Sequence, residues 1–356
     1  ISVSSSEHKK FNSYVQKEVL NYSAEEAKKL LVESGMWTCI RERPYEKAPQ
    51  LDSKPHSIFV STLDTNPLAF SPSTLINQKT NFFHQGLKVL SLLPEKNLHV
   101  CKGDKNITLP QLSNLQVTEV RGPHPAGNVG THMHFLDPAH TNKKVWHVGY
   151  QDVIAIGHLF STGKLDLERW VAVAGPEATN PRILKTRLGA CLSDLCEGEA
   201  KVPEESRVIS GSILNGRKKD EAFNFLGRFH NQISILKEDR ERVLLGWHSP
   251  GLNKFSQKPI YLSKLRFGHK FALGTSAHGS PRAMVPTGSF EEITPLDILP
   301  TQLLRSLLSF DTDQAQELGC LELAEEDLAL YTFVSPGKID FGPILRENLT
   351  KIEKEG

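Results

Sequence analysis

No stretch of this sequence approaches the roughly 18–20 consecutive apolar residues needed to cross a bilayer. The longest candidate, Val145 to Phe160, is interrupted by His147, Gln151, Asp152 and His158, so a soluble chain is expected. An excess of charge of one sign is also missing. Lysine and arginine total 42 against 41 acidic residues, a formal net charge of +1. A strongly basic balance would point to nucleic acid or anionic lipid; here no nucleic-acid partner is expected. Cysteine is sparse: Cys39, Cys101, Cys191, Cys196 and Cys320 form no Cys-x-x-Cys pair. Cys191 and Cys196 repeat a fragment of an iron–sulfur pattern whose other half is absent. Five scattered thiols suit a reducing cytoplasm better than a disulfide framework. There is no G-x-S-x-G nucleophile elbow. The start, Ile1 to His8, is polar, with neither Met nor a signal-peptide core. It reads as an interior cut, with further sequence expected upstream.

What is present is ordinary for a globular protein, with 38% hydrophobic and 23% charged residues, and 356 residues suffice for two or three domains. Ser23 followed by Glu26 is a capping box opening a helix that Gly35 ends. Ile58-Phe59-Val60, Leu98 to Cys101, Val117 to Val120 and Trp170 to Val173 read as short buried strands. Helical patterns end at Val89-Leu90 and run through Tyr150 to Phe160. Strands alternating with helices predict a mostly parallel, layered α/β domain over 22–176, after a linker over 1–21. Beyond Pro181 the pattern turns β-rich: Ile183 to Leu188, Arg207 to Ile209 and Gln232 to Leu236 as strands, with a helix at Leu192 to Leu195 and a type I′ turn at Asn215-Gly216. This predicts a small β-rich domain over 177–288. From Pro295 the chain reads as helical, through Asp297 to Leu308, Asp313 to Leu318 and Glu322 to Leu330, giving a helical domain over 289–356.

The most unusual segment is Gly122-Pro123-His124-Pro125-Ala126-Gly127-Asn128-Val129-Gly130-Thr131-His132-Met133-His134. Gly127 and Gly130 would let backbone amides approach a phosphate, but the spacing is neither G-x-G-x-x-G nor a Walker loop. On a strand, His132 and His134 would share a face and offer two metal ligands, as in metal-dependent hydrolases. His140, Asp137 and His147 are the nearby candidates to complete such a site. The favoured reading is a Gly/Pro-rich turn whose histidines are satisfied by hydrogen bonds. The carboxylates of Glu322, Glu325, Glu326 and Asp327 read as a solvated helix face. No complete catalytic centre is expected, nor a metal.

Several segments resemble the NqrA family, one of the component chains of the sodium-translocating NADH:quinone reductases. They are Gly122 to Phe135, Tyr150 to Gly157, Met284 to Pro286, Pro295 to Leu304, Leu321 to Leu330 and Phe341 to Gly356. The resemblance runs from about Ser23 to the end. It implies a Rossmann-like α/β domain, then a β-grasp domain of the soluble-ligand-binding (SLBB) type centred on Arg207 to Gly216, then a helical region. The family normally begins with a further barrel-sandwich domain.

More distantly, the family is related to flavin-binding subunits that hold a flavin phosphate on a glycine-rich loop after the first helix. Here that loop is Gly35-Met36-Trp37-Thr38-Cys39-Ile40-Arg41-Glu42-Arg43-Pro44-Tyr45, too crowded with side chains for such a cradle, and Asp64-Thr65-Asn66-Pro67 replaces an acidic stretch beside the flavin. Four-cysteine clusters are absent from the tail, where Tyr331 and Ser335-Pro336 stand in place of cysteines common in the family.

The resemblance therefore implies a component of a translocase, without a tightly bound redox cofactor of its own. FAD, a 2Fe-2S cluster, covalent FMN and riboflavin would lie on partner subunits, and ubiquinone or menaquinone would be the electron acceptor. The chain would dock peripherally at the cytoplasmic face of the bacterial inner membrane, on the membrane subunit carrying covalent FMN. Ligands of α/β sheets lie beyond the carboxyl ends of the strands, so Trp37 and Tyr45 are candidates to line a quinone headgroup channel and Arg41 and Arg43 to polarise quinone oxygens, against the stronger reading, residue by residue, of Trp37 as core and of the arginines as solvated or paired with a neighbouring subunit. The rival readings are a metal-dependent hydrolase using His132 and His134, and a flavin-binding electron carrier.

Overall fold

The computed structural model describes residues 10–355, apart from 241–247 and positions 259, 267, 269 and 278. The polar start, Ile1 to His8, lies outside the described residues.

Helix α1 (Ala24–Glu33) opens as its sequence dictates. Ser23 Oγ accepts from the Glu26 amide at 3.2 Å, and the Glu26 carboxylate accepts from the Ser23 amide at 2.8 Å, satisfying two donors that the helix leaves free. Gly35, at φ 78°, ends it in the left-handed region. The first sheet comprises β1 (Arg41–Arg43), β2 (Ser57–Ser61), β3 (Asn97–Lys102), β4 (Leu115–Glu119) and β5 (Val145–His147). Their spatial order is β1-β5-β2-β3-β4, with β1 antiparallel to β5 and the others parallel. Around it lie α2 (Ser73–Gln78), α3 (Thr80–Leu90), α4 (Val129–Leu136) and α5 (Tyr150–Thr162). From β2 the chain steps outward to β3 and β4, then crosses to β5 on the other side of β2. The topological switch point is therefore the gap between the carboxyl ends of β2 and β5.

Helices α3 and α5 touch backbone to backbone. A Cβ on Gly86 would lie 2.0 Å from the Val153 carbonyl oxygen, and one on Gly157 would lie 1.8 Å from that of Phe82. Only glycine allows this approach, which brings Phe83, Leu87, Val153 and Ile156 into one core with Leu30 and Leu31 of α1.

The second sheet contains β6 (Glu168–Ala174), β7 (Arg182–Arg187), β8 (Ser206–Ser210), β9 (Arg217–Lys218) and β10 (Gln232–Lys237), with α6 (Leu192–Leu195) between its hairpins. The order β7-β6-β10-β8-β9, with β10 parallel to β6 and every other pair antiparallel, is a β-grasp arrangement. Two corrections follow. Strand β6, expected within the first α/β domain, is central to the second sheet; an apolar strand reads the same in either layer, and only its pairing decides. The Asn215-Gly216 turn is not type I′, which needs positive φ at both central residues, and neither has it. Instead the Gly216 amide donates to the Ser212 carbonyl at 2.7 Å in a five-residue turn.

The third unit holds α7 (Ser289–Ile293), α8 (Pro300–Ser309), α9 (Thr312–Glu317), α10 (Ala329–Val334) and α11 (Phe341–Glu355), around Phe290, Leu304, Leu307, Tyr331, Phe341 and Leu345. The helix expected from Asp297 begins at Pro300 instead. Glu322 to Leu330 is not one helix but 3-10 turns over Cys320–Glu322 and Glu325–Leu328 leading into α10. Among the described residues no helix is long and apolar enough to cross a membrane.

Candidate functional site

A cleft of about 440 Å³ opens where the three units meet, at the carboxyl ends of β2 and β5. The loop after β2 supplies Leu63, Asp64 and Asn66. The start of α5 supplies Gly149 to Asp152. The second sheet supplies Arg169 and the loop from Arg228 to Asn231, and the helical unit supplies Glu325, Glu326 and Arg346.

On one wall Asp152 is clamped by Arg169 at 2.5 Å and by Arg228 at 2.9 Å. Arg41 lies over the half-exposed ring of Phe229, its guanidinium carbon 4.3 Å from the centroid, and Arg228 approaches the same ring at 5.4 Å. Two guanidinium groups thus hold one carboxylate, with a third, Arg41, nearby on Phe229. The clamp is held in register by Gln151, whose side-chain amide donates to the Trp170 carbonyl and accepts from the Trp170 backbone N–H, at 2.8 and 3.0 Å. Also in the lining are Glu46, Asp64, Glu325 and Glu326, with Arg346 paired to Glu325 at 2.7 Å and His147 to Glu46 at 2.8 Å. Burial pushes the Asp64 carboxyl above its ordinary range, although Asn66 donates two hydrogen bonds to it. Burial and the neighbouring Asp327 also push Glu326 upward, while Arg43 opposes them. About 35% of the Glu326 side chain stays exposed, so water moderates that rise. Burial places the Tyr150 hydroxyl well above its usual range.

Of the four residues expected to meet a quinone, Arg41 alone lines this cleft. Trp37 is buried; its indole N–H donates to the Pro49 carbonyl at 2.8 Å, and its ring packs edge-on against Trp146 at 5.3 Å. Arg43 is fully buried and binds the helical unit to the first sheet. Its Nε donates to Glu46 at 2.9 Å, and its Nη1 to Asp327 at 2.7 Å and to the Glu322 carbonyl at 2.6 Å. The Tyr45 ring packs on the helical core, and its carbonyl accepts from Arg346 at 2.6 Å. Tyr45 and Glu46 both have positive φ, 82° and 50°, a costly backbone for side-chain-bearing residues that these contacts hold in place. The loop expected to border a ligand is thus mainly a bolt between units. Upstream of it, Met36–Cys39 is a 3-10 turn that buries Met36, Trp37 and Cys39.

The Gly122 to His134 segment plays a related part. It enters helix α4 rather than a strand, so His132 and His134 diverge around the helix instead of sharing a face. The His132 Nε2 pairs with the Ala126 carbonyl at 2.8 Å, and burial lowers its imidazole pKa. The His134 Nδ1 meets Glu322 at 2.8 Å, and its Nε2 accepts from the Asp297 amide at 3.0 Å. His124 faces Thr65 at 3.3 Å, and the Gly127 amide donates to the same hydroxyl at 2.9 Å. The Thr131 hydroxyl donates to the Pro125 carbonyl at 3.1 Å, tying the Pro123–Ala126 turn to α4. Gly122 leads into that turn at φ 151°. Gly130 lacks a side chain because the Asp327 carboxylate and Arg43 press against it; a Cβ would lie 2.5 Å and 2.6 Å from them. Asp327 is thereby buried, which corrects the solvated-helix reading of its carboxylate. Among the described residues no group of three or more His, Cys, Asp or Glu is arranged to hold a metal ion.

These features define an α/β and β-grasp protein whose ligand crevice is assembled by three packed units. The relatives of the chain narrow the class. A family model described as the NqrA second alpha/beta domain matches residues 22–165, and one described as the NQRA C-terminal domain matches 170–221. The NqrA component of the Na(+)-translocating NADH-quinone reductase of Saccharophagus degradans is 52% identical over 357 residues, covering 100% of this chain and 80% of that protein. That of Cellvibrio japonicus is 54% identical over 347 residues, covering 97% and 77%, and that of Neisseria meningitidis 47% over 357 residues, covering 100% and 80%. The chain belongs to the NqrA family of Na(+)-translocating NADH-quinone reductase components. The hydrolase reading has no support from these relatives.

Proposed function

We propose that the chain acts within a membrane complex that oxidises NADH, reduces a quinone and exports sodium, and that its part is to dock on the other subunits and hold the quinone. The complex sits at the bacterial inner membrane with this chain on its cytoplasmic side. FAD, the 2Fe-2S cluster, covalent FMN and riboflavin belong to the partner subunits, and ubiquinone or menaquinone accepts the electrons. Functionally the chain divides into an α/β unit, a β-grasp unit and a helical unit, the first boundary falling between α5 and β6.

The observation that carries this reading is the Arg41–Phe229 pair at the rim of the switch-point cleft. A planar headgroup can stack on the exposed ring while Arg41 and Arg228 donate hydrogen bonds to its carbonyl oxygens, which gain negative charge on reduction. Two electrons arrive from partner subunits, and two protons complete the quinol. Asp64, a carboxyl at the cleft wall, is the candidate relay for a proton drawn from solvent.

Photoaffinity labelling of the assembled complex with a quinone analogue tests the reading. Labelled peptides containing Arg41 or Phe229 support it. Labelling confined to other subunits removes it.

A further inference from the structure

The near-neutral charge of the whole chain hides a one-sided tract. From 243 to 290 the sequence contains neither Asp nor Glu, yet carries Lys254, Lys258, Lys264, Arg266, Lys270 and Arg282. The described part of this tract folds back on itself: the Leu262 amide donates to the Pro250 carbonyl at 2.9 Å, the Ser263 hydroxyl to the Lys254 carbonyl at 2.6 Å, and Arg266 to Asn253 at 2.5 Å. Phe255 roots it on the helical unit by packing against Phe271 and Phe333. At its centre the 3-10 turn Leu262–Leu265 stacks its first and last leucines on one face. Those leucines are 44% and 65% exposed, and beside them Ile260 is 74% and Leu252 57% exposed. Lys258, Lys264 and Lys270, all exposed, flank this apolar group.

We propose that this tract rests on the anionic surface of a lipid bilayer, its leucines and isoleucine entering the acyl boundary and its lysines lying at headgroup level. Apolar side chains gathered in water and rimmed by polar groups mark an interaction surface. A basic rim on a tract that carries no acid of its own selects a negatively charged partner. Lysine outnumbers arginine here, and its compact point charge suits mobile phosphates rather than one fixed carboxylate geometry. Long lysine stems also keep their charge in the headgroup layer while the leucines go deeper. The inference goes beyond the docking reading and does not depend on quinone occupying the cleft.

The test is co-sedimentation of the whole chain with vesicles of phosphatidylcholine alone and of phosphatidylcholine mixed with phosphatidylglycerol. Binding is expected on the mixed vesicles, weakening as salt rises, and not on the neutral ones. Replacing Lys258, Lys264 and Lys270 together by glutamine lowers the partition constant by on the order of a hundredfold, at about fivefold per cation. Leu262→Ser with Leu265→Ser lowers it by roughly tenfold, with the thermal transition unchanged in both variants. Equal binding to both vesicle types, no binding to either, or a lysine variant that binds like the parent overturns the proposal. So does a photo-crosslinker at position 262 that captures an acidic protein partner and no lipid in the membrane-bound complex.

Discussion

Replacing Arg43 by alanine removes a side chain of the first sheet that reaches both the 43–47 loop and the helical unit. Its loss leaves Asp327, 4% exposed, with only the Ala324 amide at 3.0 Å and a long contact to Asn128 at 3.4 Å. Glu46 keeps His147 at 2.8 Å, so it is not wholly orphaned, and Glu326 is open enough to recruit water. Breaking a buried pair from one side costs about 3–5 kcal/mol. With Glu46 still partnered, about 3 kcal/mol is the expected loss, or roughly 4 °C in the thermal transition. Lys47→Ala is the internal control from the same loop. It pairs with Glu353 at the surface, and such pairs contribute within about 1 kcal/mol. Arg43→Lys keeps the charge but cannot span Glu46, Asp327 and the Glu322 carbonyl together, so it recovers only part of the loss. Thermal unfolding and limited proteolysis of the three variants side by side decide the matter. If Arg43→Ala unfolds no earlier than Lys47→Ala, the claim that this loop bolts the units together is refuted.

Gly157→Ala forces a methyl into the Phe82 carbonyl and is expected to cost about 3 kcal/mol, read by chemical denaturation; a loss under about 0.5 kcal/mol contradicts the backbone contact between α3 and α5. Asp137 is desolvated, which alone would raise its pKa, but hydrogen bonds from Lys143, Ser57 and His56 hold it at about 2. Because its folded value lies below the unfolded one, the stability it contributes is complete above the unfolded pKa of about 4 and is lost as pH falls through about 2. Asp137→Asn should flatten the acid limb of a stability–pH curve by about 2 kcal/mol in that window; an unchanged limb rules the assignment out. Arg41→Ala in the assembled reductase should raise the quinone KM by roughly tenfold with the thermal transition unmoved, whereas an unaltered KM counts against the cleft.

What the sequence revealed depended on how local each cause was. The α1 capping box was legible because Ser23 and Glu26 are three residues apart. The strands β2, β3, β6 and β10 were legible as short apolar runs, but the sheet that takes β6 was not, since an apolar run does not show which strands it pairs with: here β7 just downstream and β10 some 60 residues on. The glycines and prolines of 122–130 favoured a turn with hydrogen-bonded histidines, while Val129, Met133 and Leu136 at i, i+4 and i+7 carried the helical pattern into which that turn leads. That Arg41 lines the cleft was legible from its place near the carboxyl ends of the sheet. The buried ion pair of Arg43 was not legible because its partner Asp327 is 284 residues away. Asp152, Arg169 and Arg228 went unnoticed, because no local pattern distinguishes a cleft-lining arginine from a solvated one.

The turn after α1 fills its own interior with Met36, Trp37 and Cys39, and the loop beyond it ties the units together. A chain built this way is expected to carry no electron carrier of its own. The direct measurement is the visible absorption spectrum of the purified chain, before and after gel filtration with added FMN. A colourless protein that retains no stoichiometric FMN is the expected result. A yellow protein that keeps one flavin per chain through the column would contradict it.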